Sequence, residues 1–380
     1  ELRAEKQPEN SILSGNLYLR GGGDPGFVSE SMWYLVNEFV RTGIKQISGD
    51  IVVDDQRFDQ ERFSSGRDPS RVDRAYDAPI GAMSFNWNTV NIFVRPGKKP
   101  GDPAFVYADP ENDYIQPINK AMTGKEKSKH NITVSRKANG LESDKIVISG
   151  TIPLGSSETV IYKSILHPEM WSGFNLRSFL QKRGIEVKGS VRAGSVSLSS
   201  SVVLAKAESK PIGLLVTDMM KFSNNFVAEM LVKNLAAELT EGQGTMEKGV
   251  QLLNQYVIEK GFAQDKFELT SPSGLSRKNQ LSSRQLLKIL EDLRVNFTVF
   301  PEFLSSLPIL GVDGTLKSRL SKSTVRGWVR AKTGMLTGVT GLAGYAGRLD
   351  GGMATFVFLF NGTANKTTAA RKLFDDLAKE

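Results

Sequence analysis

The sequence predicts a mixed α/β (α+β) fold, and three observations carry that prediction. The first 205 residues are rich in short strands punctuated by turns, and long amphipathic helices begin near Ser209. The stretch from Arg330 onward reads strand, strand, strand, helix. At 380 residues, with 39% hydrophobic and 24% charged, the chain has the length for two or three domains and a globular composition.

The elements follow in order. Asn16–Arg20 alternates as a strand and runs into the turn cluster Gly21-Gly22-Gly23-Asp24-Pro25. Over Ser29–Thr42, Met32, Leu35, Val36, Phe39 and Val40 fall at helical spacing, and Gly49–Asp54 is the next strand. The glycine cluster is not read as a phosphate loop, because no helix follows it directly and the Lys-Ser/Thr ending is missing. Between about 96 and 151 the text turns to Pro, Gly, Lys and short strands (Ala104–Tyr107, Ile132–Ser135, Lys145–Ile148). Glu158–Lys182 is expected to be helical, and Ser190–Leu204 to return to strands. Apolar residues at helical intervals then mark Ile212–Phe222, Phe226–Leu239, Met246–Lys260 and Ser283–Asp292. The closing helix is expected over Thr367–Lys379. These shifts suggest an α/β domain made of 1–95 and 152–205, a β-rich domain at 96–151 nested within it, and a third domain over 206–380.

Composition excludes several chemistries. With no cysteine there is no thiol nucleophile, disulfide framework or Cys-ligated zinc. The two histidines, His130 and His167, have no metal-binding spacing and are expected at ordinary surface or loop positions, so no metal or organic cofactor is expected. A base, if this is an enzyme, must come from Lys, Glu or Asp. The net charge of +8 suits an anionic partner such as nucleic acid, a membrane face or an acidic polymer. Its main cluster, Lys120–Lys137, lacks an arginine-rich helix or interleaved aromatics and is read as a solvated loop, so no nucleic-acid partner is expected. No run of eighteen apolar residues predicts a transmembrane segment, and the charged start at Glu1 carries no signal-peptide pattern and reads as the middle of a domain.

Two short motifs carry the chemistry. Ser223-Asn224-Asn225 sits at a break between two helices, and Lys332-Thr333-Gly334 sits on a strand. Alone they are weak signals, since S-x-N is expected about twice by chance in such a chain. In order, and with two further strands and a helix behind the second, they match the serine–lysine acyl-transferase layout. A serine needs a base, and without a catalytic histidine a lysine must serve, its pKa lowered by burial and neighbouring cations. Lys332 beside Ser223 supplies such a field and a proton path to a leaving amine. Asn225 offers an amide to a peptide carbonyl, and Thr333 a hydroxyl to a carboxylate. Gly334 leaves room for an extended peptide, and the Met335 N–H points into an oxyanion hole. A purely structural reading stands beside this one: Ser223 as a helix cap, Lys332 as a solvated strand residue, Gly334 as a bulge.

Three further segments, Gly15–Pro25, Ser273-Gly274-Leu275-Ser276-Arg277 and Leu307–Leu316, join the two motifs. In that order the set resembles the class C low-molecular-mass penicillin-binding proteins, the D-alanyl-D-alanine carboxypeptidase/endopeptidase family, over nearly the whole chain. The resemblance implies a transpeptidase/β-lactamase-like domain, an antiparallel sheet with helices, interrupted by nested inserted domains. It also implies a serine-type peptidase acting on peptidoglycan stem peptides through an acyl-serine, with β-lactams as covalent inhibitors. An extracytoplasmic or periplasmic bacterial location follows from it, with peripheral contact to wall or membrane. Arg277 and Thr337 match positions that line the substrate pocket in relatives.

Two departures matter. The family's nucleophile is the Ser of an S-x-x-K pair, and no S-x-x-K occurs in these 380 residues. Because that pair lies a few tens of residues before the segment matching Gly15–Pro25, it is expected upstream of Glu1. The alternative is a noncatalytic peptidoglycan-binding homologue. Relatives that clasp a diaminopimelate side chain often carry Asp just after the A-P-x-x-A segment, where this chain, after Ala78–Ala82, has Asn86. A neutral amide holds an ammonium less well than a carboxylate.

Overall fold

The structure, a computed structural model, describes residues 1–64, 74–262 and 266–379. These form two compact units: Glu1–Phe63 with the described residues from 74 to 209 and Lys233–Thr245, and Ser64 with Lys210–Val232 and the described residues from 246 to 379.

The first unit opens with β1 (Leu2–Ala4), β2 (Ile12–Leu13), β3 (Leu17–Arg20), α1 (Ser29–Val40), β4 (Gln46–Ile47) and β5 (Ile51–Asp54). Strands β3 and β5 pair in parallel, so α1 is the crossover between them. Met32, Leu35, Val36 and Phe39 of α1 are buried, the i, i+3, i+4, i+7 stripe of the sequence. At the turn after β3, a Cβ on Gly21 would sit 2.4 Å from the Ala82 carbonyl oxygen and Met83 nitrogen. Glycine there serves close backbone approach.

Next come β6 (Thr89–Arg95), β7 (Phe105–Asp109), β8 (Ile115–Gly124), β9 (Thr133–Ala138), β10 (Asp144–Pro153), β11 (Thr159–Ser164), α2 (Pro168–Lys182), β12 (Glu186–Val187), β13 (Val191–Gly194) and β14 (Val202–Ala205). One sheet runs β13-β5-β3-β1-β14, and the middle segment forms the sheets β8-β10-β9 and β11-β6-β7. The helix expected over 158–182 is shorter than predicted. Thr159–Ser164 pairs antiparallel with β6, and Pro168 starts the helix only afterwards. The basic run 120–137 is likewise only partly loop, since it spans the end of β8 and most of β9. His130 is exposed in the loop, and His167 precedes α2.

Elements of the second unit are α3 (Ile212–Phe222), α4 (Asn225–Leu239), α5 (Met246–Glu259), α6 (Ser283–Val295), α7 (Phe300–Ser306), β15 (Val329–Leu336), β16 (Val339–Gly347), β17 (Met353–Asn361) and α8 (Thr367–Leu377). Residues 233–239 of α4 group with the first unit. The three strands form an antiparallel sheet, β15-β16-β17. Alternate residues of β16 serve its two faces. Leu342 packs with Ala331 and Phe374 of α8, while Tyr345 packs with Leu290, Leu307 and Phe300 on the other side and donates its hydroxyl to the Leu290 carbonyl at 2.6 Å. A capping box starts α6: Gln285 N–H donates to Ser282 Oγ, and Ser282 N–H donates to Gln285 Oε1 at 2.7 Å. The result is a helix–sheet–helix sandwich with β15 as an edge strand.

Candidate active site

The break after α3 is where chemistry gathers. Ser223 ends that helix at φ 53°, ψ 47°, the left-handed region that a non-glycine residue rarely adopts. Both Ser223 N–H and Asn224 N–H donate to the Met219 carbonyl, which closes α3. Asn224, not Ser223, supports the next helix, its Oδ1 accepting from Val227 N–H at 3.4 Å. Ser223 is therefore released from capping, and its hydroxyl accepts a hydrogen bond from Lys332 Nζ at 2.6 Å. Asn225 opens α4 two residues on.

Lys332 lies half-buried on β15 and also donates to the Thr333 carbonyl at 2.8 Å. Burial pushes its ammonium down from the usual lysine range to about 8, and among the described residues no carboxylate pairs with it. Ser223, which accepts from Lys332, keeps its own hydrogen for a different partner.

The outer edge of β15 is the second feature. Leu310 N–H donates to Val329 O, and Ala331 N–H donates to Pro308 O, so the odd-numbered residues face outward at that end. Continued alternation turns the Thr333 and Met335 backbone groups to the same edge, where no strand pairs with them among the described residues. A Cβ on Gly334 would meet nothing of the protein nearer than 4.0 Å. Glycine is not demanded there by packing, and the space lies open on an exposed strand. It is no bulge, for β15 and β16 keep register from Val329 to Leu336.

Arg277 Nη2 donates to the Thr337 carbonyl at 2.7 Å, so the two second-rank sequence candidates are brought together just past β15. Asn86 belongs to the first unit. Its Oδ1 accepts from Ser29 N–H and its Nδ2 donates to Ser29 Oγ, both at 3.0 Å. Val28, the residue before α1, supplies no side-chain cap, so Asn86 caps that helix from a distance.

Sequence reasoning left the segment Leu307–Leu316 without roles. Lys221, two residues before Ser223, donates to both Asp313 carboxylate oxygens at 2.7 and 3.0 Å and to the Leu307 carbonyl at 2.7 Å. Asp313 also accepts from Ile309 N–H at 2.8 Å. Gly314 follows at φ 54°, and a Cβ there would lie 2.8 Å from the Lys221 carbonyl oxygen. Thr315 comes next, its hydroxyl 3.0 Å from that of Thr333. The one signal in the sequence for Asp313, Gly314 and Thr315 is the segment Leu307–Leu316 itself.

A serine hydroxyl bonded to a half-buried lysine of lowered pKa beside an open strand edge matches the serine–lysine layout of the penicillin-binding serine peptidases. A family model for the D-Ala-D-Ala carboxypeptidase 3 (S13) family matches residues 1–379, and the chain belongs to that family. It is similar to a D-alanyl-D-alanine carboxypeptidase of Actinomadura sp. (strain R39), 30% identical over 375 residues, covering 95% of this chain and 68% of that protein. It is also similar to the D-alanyl-D-alanine carboxypeptidase DacB of Haemophilus influenzae, 26% identical, covering 98% of this chain and 79% of that one. The crystal structure of penicillin binding protein 4 (dacB) from Haemophilus influenzae superposes with a TM-score of 0.83 at 23% identity, over 100% of this chain and 85% of that one. The transpeptidase/β-lactamase-like fold is thereby shown. A structure of the same Haemophilus protein complexed with a β-lactam superposes with a TM-score of 0.76 at 24% identity.

Proposed function

We propose that these residues form the acyl-transfer site of a DD-peptidase that cleaves D-alanyl-D-alanine termini or D-Ala cross-links of peptidoglycan stem peptides and is acylated by β-lactams. The observation that carries this reading is the Lys332–Ser223 hydrogen bond of 2.6 Å beside the Thr333–Met335 edge of β15, which no strand among the described residues pairs. In the proposed cycle a serine attacks the penultimate carbonyl and its hydrogen leaves to a base. The peptide C–N bond then breaks to give an acyl-serine and free D-alanine. Ser223 passes its hydrogen to the departing amine and regains one from Lys332, which is recharged by the proton the base took from the attacking serine. Water, losing a proton to the same base, then attacks the acyl-serine carbonyl. The ester C–O bond breaks, and that proton returns to the serine oxygen as the shortened peptide leaves as its acid. The substrate lies along the outer edge of β15 over Gly334, with its carbonyl oxygen on Met335 N–H, its amide on Asn225 and its carboxylate at Thr333. Arg277 and Thr337 would line the far side of that pocket.

The same proposal includes an extracytoplasmic location in a bacterium, where peptidoglycan would be met. No helix among the described residues is long and apolar enough to cross a membrane. The nested division at 96–151 is part of the same proposal. A noncatalytic, peptidoglycan-binding role is the second reading, since S-x-x-K does not occur within residues 1–380 and the nucleophile of the first reading has to come from outside them. Intact-mass measurement with benzylpenicillin separates the two. Residues 1–380 alone should keep their mass, whereas the same residues in a polypeptide that includes an S-x-x-K segment should gain one penicilloyl group. No adduct in that longer polypeptide leaves the binding role.

A further inference from the structure

We propose that Thr315 is a substrate-contacting residue: its hydroxyl and that of Thr333 form a hydrogen-bonded pair that clamps the free carboxylate of the stem peptide through its one outward donor. The proposal rests on the DD-peptidase reading above and adds to it a residue for which neither motif supplies a role.

The geometry makes the argument. The two hydroxyl oxygens are 3.0 Å apart, so one hydrogen occupies the space between them. Each hydroxyl owns a single hydrogen, which leaves the second one directed away from the pair. Thr315 is exposed, and the pair therefore presents one free donor at the surface. What that donor meets is set by charge. Lys221 is neutralised by Asp313, but Lys332, bonded to the Thr333 carbonyl, has no carboxylate partner among the described residues. Next to an uncompensated ammonium, a free hydroxyl hydrogen favours an anionic acceptor, and a peptide carboxylate with two oxygens can engage hydroxyl and ammonium together.

The loop is held for this purpose on three sides. Leu316 is fully buried, and its carbonyl accepts from Gly311 N–H at 3.0 Å. Asp313 is pinned by Lys221 and by Ile309 N–H, and Gly314 lets the chain pass close to the Lys221 carbonyl. Lys221 thus ties the helix ending in Ser223 to the turn carrying Thr315, and its role is positioning.

The test is titration of residues 1–380 with an N-acylated D-alanyl-D-alanine peptide and with the same peptide carrying a C-terminal carboxamide. Wild type should prefer the carboxylate. Thr315→Val, which removes the hydroxyl and keeps the branched shape, should bind the carboxylate roughly 10- to 100-fold more weakly, the loss typical for a hydrogen bond to a charged group. It should bind the carboxamide as wild type does. Thr315→Ser should restore the preference, and Thr315→Ala replaces the valine variant if thermal unfolding shows that valine disturbs the turn. Undiminished carboxylate preference in the hydroxyl-free variant overturns the clamp while the peptidase reading stands. Failure of wild type to bind either peptide overturns both.

Discussion

Lys332 Nζ sits 2.6 Å from Ser223 Oγ, and burial holds that ammonium at about 8. A lysine of ordinary pKa would almost never release its proton at neutral pH, whereas one near 8 exchanges it readily. In a polypeptide that includes an S-x-x-K segment, Lys332→Ala should therefore slow acylation by benzylpenicillin about 100-fold or more, the range general acid–base groups contribute. The thermal midpoint should not fall. Acylation at the wild-type rate, timed by intact mass, would remove Lys332 from the relay.

The same depressed pKa has a consequence for stability, and its sign is fixed. Below about 8 the folded chain holds a charged lysine that burial disfavours, so folding is weakened. Between about 8 and the unfolded lysine value the unfolded state binds more protons than the folded one, and stability rises with pH across that window. Lys332→Met removes the effect. Wild type and variant should differ most near pH 7, with the variant the more stable, and converge toward pH 10.5. A constant difference in thermal midpoint across that range contradicts the burial argument.

The Lys221–Asp313 pair joins the end of α3 to the turn before Thr315, with the lysine side chain 13% and the aspartate 38% exposed. Partial exposure of Asp313 tempers the energy, and a double-mutant cycle over Lys221→Met and Asp313→Asn should give a coupling of about 1 kcal/mol. The single variant Asp313→Asn should cost more than that, because it strands a largely buried ammonium. Zero coupling would mean that Leu307 and Ile309 hold the loop unaided.

Asn86 caps α1 from across the first unit, accepting from Ser29 N–H. Asn86→Ala should destabilise that unit by about 1 kcal/mol, the usual cost of a lost cap, read by urea unfolding. Asn86→Asp should keep the cap and gain from the positive end of the helix dipole. If alanine is neutral, the cap is not the reason for asparagine at 86.

Legibility in the sequence followed the locality of each signal. α3 was read from Ile212 to Phe222 as the structure has it, since its apolar spacing lies within one element. Strand β11 was read as helix because Thr159–Ser164 is too short to separate a period of two from one of 3.6. Strand β8 was not read at all: Ile115–Gly124 is polar and carries Pro117, and its strand state comes from ten paired residues of β10. Pro117 is tolerated because β8 lies at the sheet edge. At the site, Ser223 and Lys332 were legible as motifs. The approach of Thr315 to Thr333 was not, because two threonines eighteen positions apart carry no joint pattern until the sheet and the Lys221–Asp313 tie bring them together.

Gly334 separates stability from binding most sharply. The nearest atom to a Cβ built there is the Gly341 nitrogen at 4.0 Å, no closer than ordinary contact, and its φ is not in the left-handed region. Gly334→Ala should therefore fold without strain and stabilise the chain by about 0.4–1 kcal/mol, through the lower entropy of the unfolded chain. The same methyl group would stand where an extended peptide runs along β15. Affinity for a D-alanyl-D-alanine peptide should fall while the unfolding midpoint rises, two measurements moving in opposite directions. If both rise or affinity is unchanged, the substrate does not lie over Gly334, and the glycine must owe its place to something other than the ligand.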